Sequence, residues 1–155
     1  MRNNPFDRID CAILNQLQAD GRITNTQLAE RVNLSPSACL RRVRTLEING
    51  VIEHYTALVS QATAGKPSNV FVEISLNRQS EEALEAFEHH VAECPDILEC
   101  HLMAGDFDYL VRVAVADAED YERIHKTQLS RLPHVAHIKT SFALRTICKK
   151  TTFEF

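Results

Sequence analysis

The sequence predicts an α+β protein with two domains, in which a small helical domain precedes a domain of alternating strands and helices. Three observations support this prediction. Residues 1–60 contain three helical patterns with caps, residues 69–155 contain strand and helix patterns in the order βαββαβ, and residues 61–68 read QATAGKPS. Because that stretch consists of small and turn-forming residues without apolar periodicity, we interpret it as a linker between the domains.

The length and composition are typical of a folded protein without a membrane-spanning segment. The chain has 155 residues, 45% of them hydrophobic and 25% charged, which excludes a large enzyme scaffold and disfavours disorder. No apolar run approaches the roughly 20 residues that span a bilayer, and the first residues lead into no signal-type apolar core. We therefore expect a soluble protein with no membrane partner and a cytoplasmic location.

The net charge of −4 is unevenly distributed along the chain. Residues 1–60 hold seven Arg and six Asp or Glu, hence +1, whereas the remainder holds ten Lys or Arg and fifteen Asp or Glu, hence −5. The total charge alone would argue against a nucleic-acid partner. The division between the halves removes that argument, because three of the first seven arginines fall at positions 41, 42 and 44.

The first helical pattern begins at Asp7. This residue is predicted as the N-cap, with Asp10 at the third helical position and Phe6 placed to pack against the first turn. Apolar residues then follow at helical spacing, namely Ile9, Ile13, Leu14 and Leu17. Asp20-Gly21 is expected to end this helix.

Two further cap signals predict a helix-turn-helix motif. Thr24 to Gln27 has the form of a capping box that begins a short second helix. Asn33 tolerates the left-handed conformation that a tight turn requires. Ser35-Pro36 predicts a third helix to about residue 49, because Ser accepts from free backbone amides and Pro has no amide to leave unpaired. Residues 50–59 then read as a β excursion, which makes the predicted unit a winged helix-turn-helix.

The third helix presents two different faces. Cys39, Val43 and Leu46 fall at i, i+4 and i+7 and are expected to be buried together. Leu40 lies beside them. The opposite face and its flanks carry small and cationic residues, and the predicted DNA contacts are Ser35, Ser37, Ala38, Arg41, Arg42, Arg44 and Thr45. Short side chains permit close approach to the major groove, and arginine binds phosphate or guanine; the alternative is a solvated basic face on a structural helix.

The second half predicts a four-stranded antiparallel sheet with both helices on one face. Strands are expected over residues 70–76, 97–104, 107–115 and 135–148. Ser80 and Asp117 are predicted to cap the two helices, and a proline closes each. This order is that of the ferredoxin-like domain. Since the strands carry apolar residues on both faces, we expect the open face to be buried against a second copy in a homodimer.

The segment Gly105-Asp106-Phe107-Asp108-Tyr109 contains the predicted turn between the second and third strands, Gly105-Asp106, and the start of the third strand. Two carboxylates and an aromatic ring crowd a tight turn, which can offer backbone amides and carboxylates to a small zwitterion. The alternative is a plain hairpin turn with solvated carboxylates. No pair of nucleophile and base is visible near this segment, so catalytic residues are not indicated.

The cysteines and histidines do not form a recognisable set of metal ligands. Five cysteines at positions 11, 39, 94, 100 and 148 include no CxxC pair, so neither a disulfide framework nor a zinc ribbon is supported. Those at positions 11, 39 and 100 have apolar neighbours and are expected in cores. His89 and His90 point about 100° apart on a helix and do not readily chelate one ion.

Several segments together resemble the Lrp/AsnC family, also called feast/famine regulators. They are DRID at residues 7–10, DGR at 20–22, LSPSACLRRV at 34–43, GVI at 50–52, ECHL at 99–102 and GDFDYL at 105–110. The resemblance covers essentially the whole chain. It implies a dimer that binds palindromic, double-stranded promoter DNA through winged helix-turn-helix domains. It also implies a second domain that oligomerises, commonly to octamers, and that binds a small effector, usually an amino acid, with no other cofactor.

The resemblance also carries over individual residues. Residues 35–45 match the family's recognition helix, and residues 103–109 match the loop of its effector pocket between dimers. The matching effector contacts are Met103, Ala104, Gly105, Asp106, Asp108 and Tyr109, with Thr140 and Ser141 of the last strand as looser matches. A bound amino acid would place its carboxylate on backbone amides near Gly105 and its ammonium on Asp106 or Asp108.

Two other functions fit the same architecture. Haem-pathway decarboxylases resemble it, but they need histidines facing a large pocket and no functioning recognition helix. A thiol- or metal-sensing DNA-binding regulator would use Cys94, Cys100 or His101 as its trigger. The sequence leaves open which effector binds, which promoters are recognised, and whether the effect is activation or repression.

Overall fold

A computed structural model describes residues 6–155 and divides them into two compact units. The first contains the described residues up to Leu58 together with residues 148–155, and the second contains Val59–Ile147. This division differs from the predicted one, which placed a boundary at residue 60 and assigned all of residues 69–155 to the second domain. Among residues 6–155, no helix is long and apolar enough to cross a membrane.

Three helices form the first unit, and each begins at its predicted cap. They are α1 (Arg8–Ala19), α2 (Asn25–Arg31) and α3 (Pro36–Ile48). The Asp7 carboxylate accepts from two backbone amides in the first turn of α1. Thr24 and Gln27 form the predicted capping box of α2, and Ser35 caps α3. These bonds satisfy donors that the start of a helix otherwise leaves unpaired.

The turn between α2 and α3 is tight because Asn33 adopts the predicted left-handed conformation, with a φ of 56°. The Leu34 amide donates back to the Ala29 carbonyl over 2.9 Å. The three helices close around one core, which comprises Ile13, Leu14, Leu28, Ala29, Val32, Cys39, Val43 and Leu46. Cys39 is completely buried, so the prediction that it packs in a core is confirmed.

The β excursion predicted after α3 does not form strands. The amides of Val51 and Ile52 both donate to the Leu46 carbonyl at the end of α3, and residues 53–60 form neither helix nor strand. A strand requires a hydrogen-bonding partner, and within the described residues of one chain no strand pairs with this segment. Residues 53–60 of the predicted wing therefore belong to no regular element, and all of them are exposed.

The second unit has the predicted βαββαβ order. Its elements are β1 (Ser68–Leu76), α4 (Glu81–Ala92), β2 (Ile97–Leu102), β3 (Tyr109–Val115), α5 (Ala118–Thr127), a short 3-10 helix (Leu129–Arg131) and β4 (Val135–Phe142). The strands form one antiparallel sheet in the order β2-β3-β1-β4, so β2 and β4 are its edges. This is the predicted ferredoxin-like arrangement.

The two faces of this sheet differ in character. Alternate residues of β1 and β3 are buried in the core of the unit together with side chains of α4 and α5. The other face carries two cross-strand ion pairs, Lys139 with Glu73 and Arg112 with Glu99. Phe71 of β1 is exposed on that second face. The face that contacts the helices is therefore apolar as expected, whereas the open face carries both charged and apolar residues.

Three details of the second unit differ from the prediction. Residues 103–108 separate β2 from β3, a longer connection than expected. β4 ends at Phe142, opposite Val70, rather than at residue 148, because β1 extends only two residues beyond that pair, to Ser68, and cannot support a strand as long as predicted. Ser80 occupies the N-cap position of α4, but its side chain makes no capping hydrogen bond.

The predicted linker is fastened to the second unit by Lys66. Its ammonium lies between the carboxylates of Asp96 and Asp120, at 2.5 and 3.6 Å. Arg123 binds the same two carboxylates, and Gln128 donates to Asp96. Burial alone would raise the pKa of Asp96, but hydrogen bonds from the other side chains outweigh burial and lower that pKa below its ordinary value of 3.8. The end of the linker is therefore part of the second unit.

This cluster predicts a specific loss of stability in acid. A carboxyl group with a lowered pKa stabilises the folded chain above its ordinary pKa, and that contribution is lost as the pH falls through the lowered value. The free energy of unfolding should therefore decline below about pH 4. Asp96→Asn should make the decline shallower, whereas Glu122→Gln at an exposed position should not. Denaturant titrations at several pH values measure the free energy of unfolding of each variant. If that free energy declined equally steeply with falling pH in Asp96→Asn and in the unaltered chain, Asp96 would not be the source of the acid sensitivity.

Candidate DNA-binding and effector-binding sites

Burial of one stripe of α3 determines which of its residues face outward. Cys39, Val43 and Leu46 are buried, and in a helix of 3.6 residues per turn the positions between them face away from the core. The exposed residues at spacing i, i+3, i+4 and i+7 are Ser37, Leu40, Arg41 and Arg44. We call these four residues the recognition face.

Leu40 belongs to the recognition face, although it was predicted beside the buried stripe. Its side chain is 39% exposed. Position 40 lies at the border between the buried and exposed sides of α3, so periodicity alone does not decide its burial. An exposed leucine among arginines can contact the methyl group of thymine in a major groove, which makes Leu40 a candidate contact that the sequence did not identify.

The N-terminal end of α3 is held by side-chain hydrogen bonds. Ser35 Oγ accepts from the Ala38 amide over 3.3 Å and lies 3.2 Å from Ser37 Oγ. The Asn25 side chain, at the start of α2, donates to the Pro36 carbonyl over 2.8 Å. Asn25 therefore ties α2 to α3, a contact that no local sequence pattern reveals, because donor and acceptor are 11 positions apart.

Arg42, a predicted DNA contact, is bound within the unit. Its Nη1 lies 2.8 Å from Asp7 Oδ2 and 2.7 Å from Asp10 Oδ1. The pKa of Asp7 is lowered first by the hydrogen bond from the Asp10 amide and then by Arg42, whose own pKa is raised by the carboxylates of Asp10 and Asp7. Because two carboxylates already neutralise this cation, we assign Arg42 the role of fixing α3 against α1.

Thr45 lies beside a small groove between α1 and α3. Its hydroxyl donates to the Arg41 carbonyl over 2.9 Å, a bond within the helix. The groove has a volume of about 260 Å³ and is lined by Asp10, Arg41, Arg42, Thr45 and Leu46. Thr45 is exposed and thus borders the recognition face without belonging to its central row.

The turn between β2 and β3 projects four exposed residues. Met103, Ala104, Gly105 and Asp106 are all exposed, and the Met103 amide donates to the Asp108 carbonyl over 2.8 Å. A Cβ added to Gly105 would meet nothing within 4 Å, and its φ is not in the left-handed region. The fold itself therefore does not require glycine at this position, whereas close approach of a ligand to the backbone would.

Asp108 and Tyr109, two predicted effector contacts, have partners within the fold. The Asp108 carboxylate accepts from the Leu76 amide and from the Gln79 side chain, both over 2.7 Å. Tyr109 is 1% exposed and donates its hydroxyl to Glu88 over 2.8 Å. Burial, and then the bond to Glu88, raise the pKa of this phenol. The structure thus gives both side chains a role in packing the second unit.

Thr140 and Ser141 lie on opposite faces of the sheet, since successive strand residues alternate. The hydroxyl of Thr140 is hydrogen-bonded to that of Tyr121 on the helix side, and Ser141 is paired with Phe71. β1 lies between β4 and β3 in the sheet. At a strand spacing of about 4.8 Å, Thr140 and Ser141 of β4 are therefore at least about 10 Å from the turn between β2 and β3. One chain therefore does not assemble the predicted effector residues into a single pocket.

A cleft of about 490 Å³ opens between α4 and the edge strand β2, with Cys100 in its lining. Burial, and then the charge of Glu88, raise the pKa of Cys100 to about 11. Burial is also the main cause of a raised pKa at Cys94. A thiol that stays protonated near neutral pH is a poor nucleophile, so these surroundings do not favour the thiol-sensing alternative.

Comparison with known proteins identifies the two domains that carry the candidate sites. Residues 69–153 match the family model of the Lrp/AsnC ligand binding domain, and residues 6–53 match a model of winged helix-turn-helix DNA-binding domains. The leucine-responsive regulatory proteins of Escherichia coli strain K12 and Klebsiella pneumoniae are each 45% identical to this chain over 142 residues. Each match covers 92% of this chain and 87% of the relative.

Solved structures share the whole architecture. Transcriptional regulator NMB0573 of Neisseria meningitidis, in complex with L-Met, matches with a TM-score of 0.89 and 34% identity. An AsnC family transcriptional regulator of Agrobacterium tumefaciens matches with a TM-score of 0.90 and 34% identity. Both matches cover 96% of each chain. These relatives are transcriptional regulators and not enzymes, so the decarboxylase alternative has no support among them.

The replacement Tyr109→Phe tests whether this residue serves the core. It removes the hydroxyl bond to Glu88 and keeps the buried ring, so the free energy of unfolding should fall by about 1 kcal/mol. The response to a small effector should persist. Denaturant unfolding and ligand-dependent melting measure the two properties. A variant with full stability but no effector response would show that Tyr109 contacts the effector after all.

Proposed function

Because the chain belongs to the Lrp/AsnC family, we propose that it binds promoter DNA with the recognition face of α3 and is controlled by an amino-acid effector. The chain is a DNA-binding transcriptional regulator of this type and not an enzyme. The observation that supports the choice of surface is the exposed row from Ser37 to Arg44, which the core leaves facing outward. Binding to promoter DNA would place its action in the cytoplasm.

The recognition face has the chemistry that a major groove requires. Arg41 and Arg44 are exposed and can bind phosphate or donate two hydrogen bonds to guanine. Ser37 is short enough to let the start of α3 approach the bases. Leu40 adds an apolar contact for thymine. We propose that Arg42 does not read DNA but keeps the two flanking arginines in position through its bonds to α1.

One helix of this length makes few base contacts, so we propose that two copies bind together. Two α3 helices held in a dimer would contact half-sites about one helical turn of DNA apart. The support for a second copy is exposed apolar surface in the second unit, where Leu144 and Ile147 follow β4 and Phe71 lies on the open sheet face. We also propose that such dimers assemble further, up to the octamer of four dimers that the family resemblance implies.

We propose that the effector is an amino acid that binds at residues 103–106. The Neisseria relative was crystallised with L-Met, and Gly105 is a glycine that the fold does not need. The carboxylate of the ligand would accept from backbone amides of the turn, and its ammonium would bind the exposed Asp106. Thr140 and Ser141 can join this pocket only from a second chain, which makes the proposed site an interface between copies.

An effector at such an interface can change regulation only through its different affinity for two assembly states. A ligand that bound both states equally would shift neither population, however tightly it bound. The proposed pocket meets this requirement, because a contact shared between copies exists in one assembly state and is broken in the other. Effector binding and assembly are thereby coupled in both directions.

The DNA-binding proposal predicts an affinity that depends on salt and on two arginines. Arg41→Ala and Arg44→Ala should each weaken binding, and each should reduce the slope of log K against log salt by about 1 if the side chain binds phosphate. A side chain that reads guanine should instead cost about 1–3 kcal/mol on the specific site alone. Arg78→Ala, at an exposed position after β1, is the matched control. Fluorescence anisotropy on promoter fragments at several salt concentrations measures these effects, and an equal loss in the control would contradict the proposed surface.

The effector proposal predicts a melting shift with one or a few amino acids. A ligand at 100 times its Kd adds about 2.7 kcal/mol to the stability of the folded protein, so a screen that includes L-Met and L-Leu should identify it. Asp106→Ala should abolish the shift and leave the melting of the free protein unchanged. Glu122→Ala, another exposed acid, should retain the shift. If Asp106→Ala responded like the unaltered protein, its carboxylate would not be the ammonium ligand.

A further inference from the structure

Residues 148–155, which we call the return segment, belong to the DNA-binding unit although they follow β4. The chain leaves this unit after Leu58, forms the whole ferredoxin-like unit over residues 59–147, and then rejoins the first unit. The two units are therefore joined by two covalent connections. The second connection was not predicted, because all of residues 69–155 were assigned to the second domain.

Gln18, in the last turn of α1, holds the return segment by its backbone. The Gln18 Nε2 donates to the Phe153 carbonyl over 3.0 Å, and its Oε1 accepts from the Phe153 amide over 2.7 Å. A side-chain amide that pairs with both backbone groups of one residue recognises an extended chain, much as a neighbouring strand does. The contact thus depends on backbone conformation and not on the side chain at position 153.

An aromatic contact holds the return segment at the other end of α1. Phe155 packs edge to face on Phe6, with ring centroids 5.9 Å apart and ring planes at 75°. Phe6 precedes α1 and packs against the core of the unit. Since residue 153 contacts the last turn of α1 and residue 155 contacts its start, the return segment runs antiparallel to the helix.

α1 connects the return segment to the recognition helix. Phe6 is followed directly by Asp7, whose carboxylate caps α1 and binds Arg42 of α3. Direct contacts and one peptide bond therefore lead from Phe155 to Arg42. Because Arg42 lies beside Arg41 in α3, a displacement of the first turn of α1 would also displace the recognition face.

We propose that Phe6 and Gln18 form a docking surface whose occupant is the return segment, and that the docked segment keeps α1 and α3 in their DNA-binding arrangement. Phe153 and Phe155 remain 77% and 41% exposed, so the segment can leave α1 without exposing the core of the unit. The docking is independent of the proposed function, whereas its consequence for DNA affinity rests on that function.

Hydrogen exchange tests the docking without reference to DNA. Two variants test it: a chain that ends at Ile147, and Gln18→Ala in the full chain. In both, the amides of α1 should exchange about tenfold faster, which corresponds to a loss of about 1.4 kcal/mol in the free energy of opening α1. Glu154→Ala changes an exposed neighbour and serves as the control. Unchanged exchange in both variants would overturn the proposal. If the shortened chain fails to fold, Gln18→Ala alone decides.

A synthetic peptide of residues 148–155 identifies the occupant. Added to the shortened chain at millimolar concentration, comparable to the effective concentration that a short connection supplies, it should restore slow exchange in α1. The same peptide with Phe155→Ala should restore less. No effect of either peptide, in a shortened chain whose α1 exchanges fast, would mean that α1 does not bind this segment.

DNA affinity then measures the consequence of docking. The shortened chain and Gln18→Ala should bind promoter DNA about three- to tenfold more weakly, with Gln18→Ala leaving the salt slope unchanged. Replacement of Lys149 and Lys150 by Ala separates this effect from direct DNA contact: an equal loss with a smaller salt slope would overturn the proposed role. If the unaltered chain binds no DNA, the proposed function fails, while the exchange experiment still decides the docking.

Discussion

The buried stripe of α3 is the constraint on which the DNA-binding unit depends. A helix of this kind has one apolar stripe, and once Cys39, Val43 and Leu46 are buried, positions 41 and 44 must face outward. The cap at Ser35 holds the start of α3, and the ion pairs of Arg42 with Asp7 and Asp10 hold its middle against α1. The recognition face is thus a consequence of core packing. For this reason the net charge of −4 says little about whether the chain binds DNA.

α1 contacts both α3 and residues 148–155 and so holds the parts of the DNA-binding unit together. Its first turn holds α3 through Asp7 and Asp10, and its last turn holds residues 148–155 through Gln18. In the second unit, Lys66 fastens the end of the linker to a cluster of carboxylates. Side-chain contacts therefore hold the chain near both connections between the units, through Lys66 at the first and Gln18 at the second. The proposed change in the assembly of the second unit would therefore have two covalent routes to the first.

Features that are decided within a few residues could be predicted from the sequence, and features that depend on distant partners could not. The three helix caps, the left-handed turn at Asn33 and the βαββαβ order all follow from local patterns. Arg42 resembles Arg41 in every local respect, yet its partner Asp7 lies 35 positions away. Likewise, Tyr109 matches a motif for effector binding, but packing places it in the core. The internal partners of Arg42 and Tyr109 therefore became visible only in the structure.

Photo-crosslinking to promoter DNA is the most direct test of the central claim, that α3 presents the row from Ser37 to Arg44 to the major groove. A photoreactive amino acid in place of Leu40 should crosslink to bases of the site. The same group in place of Glu119, an exposed residue of the ferredoxin-like unit, should not. Crosslinks from position 119 without crosslinks from position 40 would contradict the account, because the DNA would then lie on the other unit.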